Sequence, residues 1–128
     1  MRFMMLVKHA ENAKAVAPPK ELMDQLSKLS DEAVQEGRMV ANGGLAPTVQ
    51  SSRVRLAGGK VTIVDGPFAE GKEVVGGFAI LEFKSREEAM EGAVQFMELH
   101  RQHWPGWEGE TEVRQILRPE DFCPKGQA

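Results

Sequence analysis

The sequence contains a single cysteine, Cys123, which excludes an intrachain disulfide bond. It also lacks any apolar run near the roughly 18 residues that a membrane span needs. The apolar N-terminal segment, residues 1–7, ends at Lys8 and is too short for a span or a signal peptide. We therefore expect a protein of the reducing cytoplasm. Cys123 lies beside Pro124 in a polar tail with no activating neighbour in the sequence, so we do not expect a nucleophile there.

The sequence has no excess of positive charge. It carries 16 Lys and Arg against 19 Asp and Glu, for a net charge of −3. Nucleic-acid binding uses a basic surface, so we expect no nucleic-acid partner. A hydrophobic fraction of 41% and a charged fraction of 27% are typical of a globular chain, and 128 residues suit one domain.

The apolar pattern predicts strands that alternate with helices. Short apolar runs predict strands over residues 3–9, 39–45, 53–56, 60–65, 76–83 and 112–117. Spacings of three and four predict helices over residues 20–36 and 85–100. The apolar stripes expected to be buried include Met23, Leu26, Leu29 and Val34 in the first helix and Val94 in the second. The second helix opens with a capping box, Ser85 followed by Glu88. We assign residues 1–118 to the domain and residues 119–128 to a polar tail.

The predicted order is β-α-β, a β-hairpin, and a second β-α-β unit. The Gly58-Gly59 connection favours a tight hairpin because glycine accepts positive φ. Two helices can cover one face of the resulting antiparallel sheet. The sequence thus predicts an α+β domain with both helices on the same face.

The central strands carry apolar side chains on both faces, over residues 3–7 and 75–83. A monomer rarely exposes an apolar face of several hundred Å². We therefore predict a homodimer in which two sheets pack face to face around a two-fold axis. The alternative is that loops at residues 46–52 or 104–109 fold over the face, which is less favourable because loop backbone is polar.

The loop that follows the hairpin carries the candidate catalytic residues. Asp65, at a strand end, can act as a base or hold a ligand, or it can simply stabilise a turn. Phe68 is a candidate for ligand contact, with anchoring of the loop as the alternative. Glu70 and Lys72 can form a perturbed acid–base pair beside Glu73, or a solvated surface pair.

Two glycine pairs lie within predicted strands. Glycine weakens a strand interior, so Gly76-Gly77 indicates either a bulge or the close approach of a ligand or backbone. Gly43-Gly44 is a candidate for lining the same cavity. Neither pair has the spacing of a phosphate-binding loop.

Histidine is scarce, with three residues in the chain. His9 ends the first strand, where it can reach the cleft or serve a structural role. His100 and His103 share a helix face, yet a third ligand is lacking in sequence range, so we predict no metal site. No residue set indicates a haem or flavin ligand, and we expect no cofactor.

Several segments resemble the YCII-related family in its DGPF-motif branch. They are the start FMMLVK at residues 3–8, GGLAP at residues 43–47, DGPFAEGKE at residues 65–73 with GGF at residues 76–78, and EVRQI at residues 112–116. The resemblance covers residues 1–118.

The resemblance implies a ferredoxin-like antiparallel sheet that forms a dimeric α+β barrel. Related folds include cofactor-free or haem-using monooxygenases, lactone isomerases and ligand sensors, and some DGPF proteins are associated with sigma-factor-like transcription proteins. Other YCII relatives use a His–Asp pair at the two ends of the first helix. This helix opens with Lys20-Glu21-Leu22 and ends with Gln35-Glu36-Gly37, so the pair is missing.

Two functions are consistent with these features. The first is a cofactor-free small-molecule enzyme of isomerase, lyase or oxygenase type, with a cleft near Asp65. The second is a module that binds or senses a small metabolite, linked to transcription. A third possibility, a pure interaction protein, is distinguished from both by the lack of a cavity.

Overall fold

The computed structural model describes residues 1–10, 17–68 and 73–122. The strands are β1 (Arg2–His9), β2 (Met39–Gly44), β3 (Ser52–Ala57), β4 (Lys60–Asp65), β5 (Val74–Glu82) and β6 (Glu110–Gln115). The helices are α1 (Lys20–Gln35), α2 (Arg86–His103) and the short α3 (Pro119–Phe122). A 3-10 turn, Thr48–Gln50, precedes β3.

Four strands form an antiparallel sheet in the order β2-β5-β1-β6. β1 and β5 are therefore the central strands, and β2 and β6 are the edge strands, as in a ferredoxin-like fold. β3 and β4 form a separate two-stranded sheet. The predicted α+β class and the predicted hairpin are confirmed.

One face of the main sheet packs against α1 and α2 and forms the core. Phe3 and Met5 of β1 lie opposite Leu81 and Ala79 of β5, and their side chains point toward the helices. The buried cluster consists of Phe3, Met5, Ala33, Leu81, Phe83, Ala89 and Ala93. The two helices contribute three alanines to this cluster, Ala33 from α1 and Ala89 and Ala93 from α2.

The opposite, open face of the sheet carries a second apolar stripe. It consists of the register-paired side chains Met4 with Ile80 and Leu6 with Phe78, all half-buried in one copy of the chain. The strand register therefore places apolar side chains on both faces of the main sheet, as the sequence predicted. The dimer that would cover this open face remains a prediction.

Ion pairs flank the apolar stripe of the open face. Lys8 and Arg114 both contact the carboxylate of Glu112, and Arg2 Nε lies 2.6 Å from Glu82 Oε1. The hydrogen bond from Lys8 is the main cause that lowers the pKa of Glu112, and the hydrogen bond from Arg2 does the same for Glu82. These charges border the stripe on its β6 side and at the Arg2–Glu82 end of β1 and β5.

The hairpin is far more exposed than the rest of the sheet structure. Every residue of β3 and β4 is exposed. Its register pairs Val54 with Ile63 and Leu56 with Val61, so four apolar side chains share one face. These four are between 68% and 73% exposed. We refer to these four residues as the hairpin patch.

Four details differ from the sequence prediction. α2 continues to His103, and the last strand is Glu110–Gln115 rather than residues 112–117. Val34 and Val94, expected in the buried stripes, are each 59% exposed because the core uses the neighbouring alanines, Ala33 and Ala93. The tail contains the short helix α3.

No helix in the described ranges combines the length and apolar character that a membrane span requires.

Candidate functional site

A cavity of about 570 Å³ lies between the main sheet and the two long helices. Its floor is formed by β1, β2 and β5, and its walls by α1 and α2. The apolar wall residues are Met23, Leu26, Leu29 and Phe96, and Met5 and Val7 contribute from β1. Pockets of about 300–1,000 Å³ with mostly apolar walls are typical of small-molecule sites.

Part of the floor of the cavity is made by residues that have little or no side chain. Gly44 lies opposite Gly77 in the pairing of β2 with β5, and Ala79 follows two residues later. A β-carbon built on Gly44 would meet no atom within 4 Å, so the space above this residue is open. The cavity therefore exists because larger side chains are missing here, opposite a stripe of Met and Leu on α1.

A few polar groups also line the cavity. Asn42 Nδ2 donates a long hydrogen bond of 3.4 Å to Ser30 Oγ, which links β2 to α1. Thr111 on β6 contributes a hydroxyl group that lies 3.1 Å from Met97 Sδ. Asn42, Ser30 and Thr111 can each offer a donor or an acceptor to a ligand.

The charged residues at the cavity are grouped near the end of α1. Arg38 Nε lies 2.7 Å from Glu36 Oε2, and its guanidinium carbon is 5.7 Å from the centre of the Phe83 ring. Glu32 is exposed nearby on α1. Because Arg38 is already paired, the described part of the chain offers no concentration of positive charge for an anionic ligand at this site.

Gly43, Gly44 and Gly77 line this cavity, and their assignment to ligand binding stays a prediction. Gly76 has a different surrounding. The register between β1 and β5 shifts at this point, so Gly76 is the extra residue of a bulge. A β-carbon on Gly76 would overlap the imidazole ring of His9, which explains the glycine by close packing.

His9 lies at the end of β1, against Gly76, and does not line the cavity. Its Nδ1 is 2.9 Å from the carbonyl oxygen of Ala10. This arrangement matches the structural role considered for His9. Its assignment to ligand binding receives no support from the cavity geometry.

Asp65 is placed at the base of the hairpin. Its Oδ1 accepts a hydrogen bond of 2.6 Å from Ser52 Oγ on the partner strand, and its side chain is exposed. The next residue, Gly66, donates its N–H to the carbonyl oxygen of Ser51 at 2.8 Å. A β-carbon on Gly66 would overlap the carbonyl oxygen of Thr48. Asp65 and Gly66, the first two residues of the DGPFAEGKE segment, thus fix the base of the hairpin to the 3-10 turn that precedes β3.

Asp65 is absent from the residues that line the cavity within the described ranges. Phe68 is half-buried beneath Arg53, whose guanidinium carbon lies 3.7 Å from the ring centre. This cation–π contact holds the loop against the hairpin. Glu70 and Lys72 fall outside the described residues, and their proposed acid–base pair stays a prediction.

An aromatic cluster connects one cavity wall to the end of α2. The ring of Phe96 lies 4.6 Å from that of the buried His100, which in turn lies 4.6 Å from Trp107. Trp104 stacks on Trp107 at 5.7 Å. His100 Nδ1 is 2.9 Å from the carbonyl oxygen of Phe96. The two tryptophans therefore lie close enough to Phe96 to report on ligand in the cavity.

Comparison with known proteins agrees with the fold. A family model of the YCII-related domain matches residues 1–96, more than half of the chain. The chain belongs to the YCII-related family. An uncharacterized protein of Rhizobium meliloti (strain 1021) is 33% identical over 72 residues, which cover 56% of this chain and 58% of that relative. The chain thus spans less than two thirds of the relative's length.

In this YCII-related protein, the residues that build the cavity walls were expected to be ordinary core. Met23, Leu26 and Leu29 follow the helix stripe, and the sequence offers no means to separate a cavity wall from a filled core. The sequence feature that could have indicated a cavity was the combination of three glycines in strands with that apolar stripe. Asn42 and Ser30 were not identified, because isolated polar residues at such positions are usually solvent-exposed.

Proposed function

We propose that this YCII-related protein binds a small, uncharged, largely apolar molecule in the cavity between its helices and its sheet. The observation that carries the proposal is the open space at Gly44, in a cavity bordered by apolar side chains of α1, α2 and β1. A ligand that fills this space would remove apolar surface from water, which contributes about 25 cal/mol per Å².

The distribution of charge supports an uncharged ligand. Among the charged residues at the cavity, Arg38 is paired with Glu36 and lies over Phe83. An anionic ligand would have to compete with the Glu36 carboxylate for this guanidinium. The amide of Asn42 and the hydroxyls of Ser30 and Thr111 instead suit one or two neutral hydrogen-bonding groups.

Binding is better supported than catalysis by the described residues. The best candidate for proton transfer, Asp65, is tied to Ser52 at the hairpin base and does not line the cavity. A general base must lie within hydrogen-bonding reach of the proton that it removes. A metabolite-binding module therefore fits the geometry better than an enzyme with Asp65 as its base.

The proposal is tested by filling the cavity. Gly44→Val adds a side chain where a β-carbon meets no atom within 4 Å, and Gly44 does not have a positive φ. The neutral probe N-phenyl-1-naphthylamine is titrated against each protein, and probe fluorescence and tryptophan emission are recorded. We expect Gly44→Val to weaken probe binding at least tenfold while the fold is retained by circular dichroism.

Ala57→Val is the matched control, because it enlarges a small exposed strand residue in the hairpin, outside the cavity. It should bind the probe as the wild type does. Equal affinity of Gly44→Val and wild type would refute the cavity as the binding site, as would a wild-type protein that does not bind the probe.

Asp65→Asn separates the two functions considered from the sequence. Since Asp65 does not line the cavity, we expect this variant to keep the probe affinity of the wild type. A loss of affinity comparable to that of Gly44→Val would place Asp65 in the binding site and return it to consideration as a functional residue.

A further inference from the structure

A second cavity, of about 310 Å³, lies at the end of α2 and shares no lining residue with the proposed ligand site. It is formed by the last turns of α2 and by the loop that leads to β6. Trp104 and Trp107, whose rings stack, both line it and are both half-buried, so part of each indole remains accessible in the cavity. The volume is at the lower end of the range for small-molecule sites, which suits a ligand with few non-hydrogen atoms.

We infer that this second cavity binds a small organic cation, an ammonium group that carries alkyl groups. Indole is the best aromatic partner for a cation, and clustered aromatic rings are the usual means of recognising alkylated ammonium groups. Trp104 and Trp107 supply two such rings in one short loop. The alkyl groups of the ligand would contact the rings as apolar surface, while its positive charge is attracted to their π faces.

The charged side chains at this cavity favour a cation. Glu108 lines the cavity, is exposed, and makes no ion pair within residues 1–10, 17–68 and 73–122. Arg101 also lines it, but its Nε donates a hydrogen bond of 3.0 Å to Glu98 Oε2, one turn earlier on α2. The guanidinium is therefore neutralised by a carboxylate outside the cavity, whereas the Glu108 carboxylate remains available to a ligand.

The end of α2 adds partial negative charge. The carbonyl groups at the C-terminus of a helix together carry about half a unit of negative charge, and α2 is 18 residues long. Within its last turns, the buried His100 has its Nδ1 2.9 Å from the carbonyl oxygen of Phe96, so Nδ1 carries the hydrogen. Nε2 of the neutral ring is then an acceptor rather than a donor, which also suits a cation.

The test compares two probes of nearly the same shape. Choline carries a quaternary ammonium group, and in 3,3-dimethyl-1-butanol a neutral carbon atom replaces the nitrogen. Each probe is titrated into isotope-labelled protein, and the indole N–H signals of Trp104 and Trp107 are followed by NMR. We expect choline to shift both signals in a saturable manner and to bind at least about fivefold more tightly than the alcohol.

Two variants separate the contribution of the ring from that of the carboxylate. Trp104→Leu keeps an apolar side chain but removes the π face, and Glu108→Gln keeps the shape but removes the charge. Each should weaken choline binding at least about threefold. Glu87→Gln is the matched control, because it removes an exposed carboxylate from the first turn of α2, at the opposite end of the helix. It should bind choline as the wild type does.

The absence of a saturable shift at millimolar choline would overturn the inference. So would equal affinities for choline and the alcohol, wild-type affinity in Trp104→Leu or Glu108→Gln, or an equal weakening by Glu108→Gln and Glu87→Gln. If Trp104→Leu does not fold, the indole signals of the wild type and the two glutamine variants decide. Gly44→Val should keep its affinity for choline, and a loss there would move choline to the proposed ligand site and refute a second one.

Discussion

At the scale of single residues, glycines determine where this chain can approach itself and where it leaves space. Gly66 and Gly76 have neighbours that leave no room for a β-carbon, whereas Gly44 faces open space. The sequence marks all three only as strand or turn glycines. Their opposite surroundings depend on the tertiary arrangement of residues far away in the chain, such as Thr48 and His9.

Gly66→Ala should destabilise the protein. The new β-carbon would overlap the backbone oxygen of Thr48, which cannot rotate away as a side chain can. Overpacking of this kind costs about 1–3 kcal/mol. Urea unfolding followed by circular dichroism gives the free energy of unfolding for the variant and the wild type.

Gly44→Ala is the control for that measurement. It makes the same chemical change in open space, at a residue without positive φ, so the expected effect is neutral or a stabilisation of about 0.4–1 kcal/mol. If Gly66→Ala proved as stable as Gly44→Ala, the contact between Gly66 and Thr48 would not hold the hairpin base as described.

At the scale of elements, the order of strands and helices followed from local patterns. The second helix illustrates this, since its N-terminus was marked by Ser85 and Glu88. In the structure Ser85 Oγ accepts the N–H of Glu88 at 3.1 Å, and Glu88 Oε2 accepts the N–H of Lys84 at 3.3 Å. Serine capping is a local interaction, which is why the sequence alone reveals it.

Other features of the elements could not be predicted because they depend on packing between distant segments. Asp65 was a candidate for a residue beside a cleft, with stabilisation of a turn as the alternative. In the structure the hairpin is separate from the main sheet, and Asp65 accepts a hydrogen bond from Ser52. Nothing in the alternation of β3 and β4 distinguishes a strand in the main sheet from one in an isolated hairpin.

Ser85→Ala should lower the free energy of unfolding by about 1 kcal/mol, because the N–H of Glu88 loses its acceptor at the start of α2. Ser27→Ala is the matched control, as Ser27 is exposed in the interior of α1. Alanine has the higher helix propensity, so this control should be neutral or slightly stabilising. Thermal and urea unfolding should rank the stabilities of the variants in the same order. An equal loss of stability in Ser85→Ala and Ser27→Ala would contradict the capping role of Ser85.

At the scale of the whole molecule, the two faces of the main sheet differ in what they carry. The side facing the helices combines a compact core of Phe3, Leu81 and Phe83 with a cavity beside it. The open side combines an apolar stripe with bordering ion pairs. This division places the proposed ligand site and the face of the predicted dimer on opposite sides of one sheet.

The ion pairs of the open face predict a specific dependence of stability on pH. The pKa of Glu112 is lowered, first by its hydrogen bond with Lys8 and then by that with Arg114. A carboxylate with a lowered pKa stabilises the fold fully above its unfolded pKa of about 4.3, and this contribution is lost as the pH falls through the folded pKa. Added salt should weaken it, because the groups are partly exposed.

Glu112→Gln should therefore be less stable than the wild type at neutral pH, and the difference should shrink as the pH falls below about 4.3. Unfolding in urea at one fixed protein concentration, from about pH 7 down to about pH 3, measures this difference. Glu110→Gln is the control, since Glu110 lies on the same strand and its carboxylate has no ion pair within the described residues. A difference between Glu112→Gln and wild type that stays constant or grows in acid would show that the carboxylate does not stabilise the sheet through its charge.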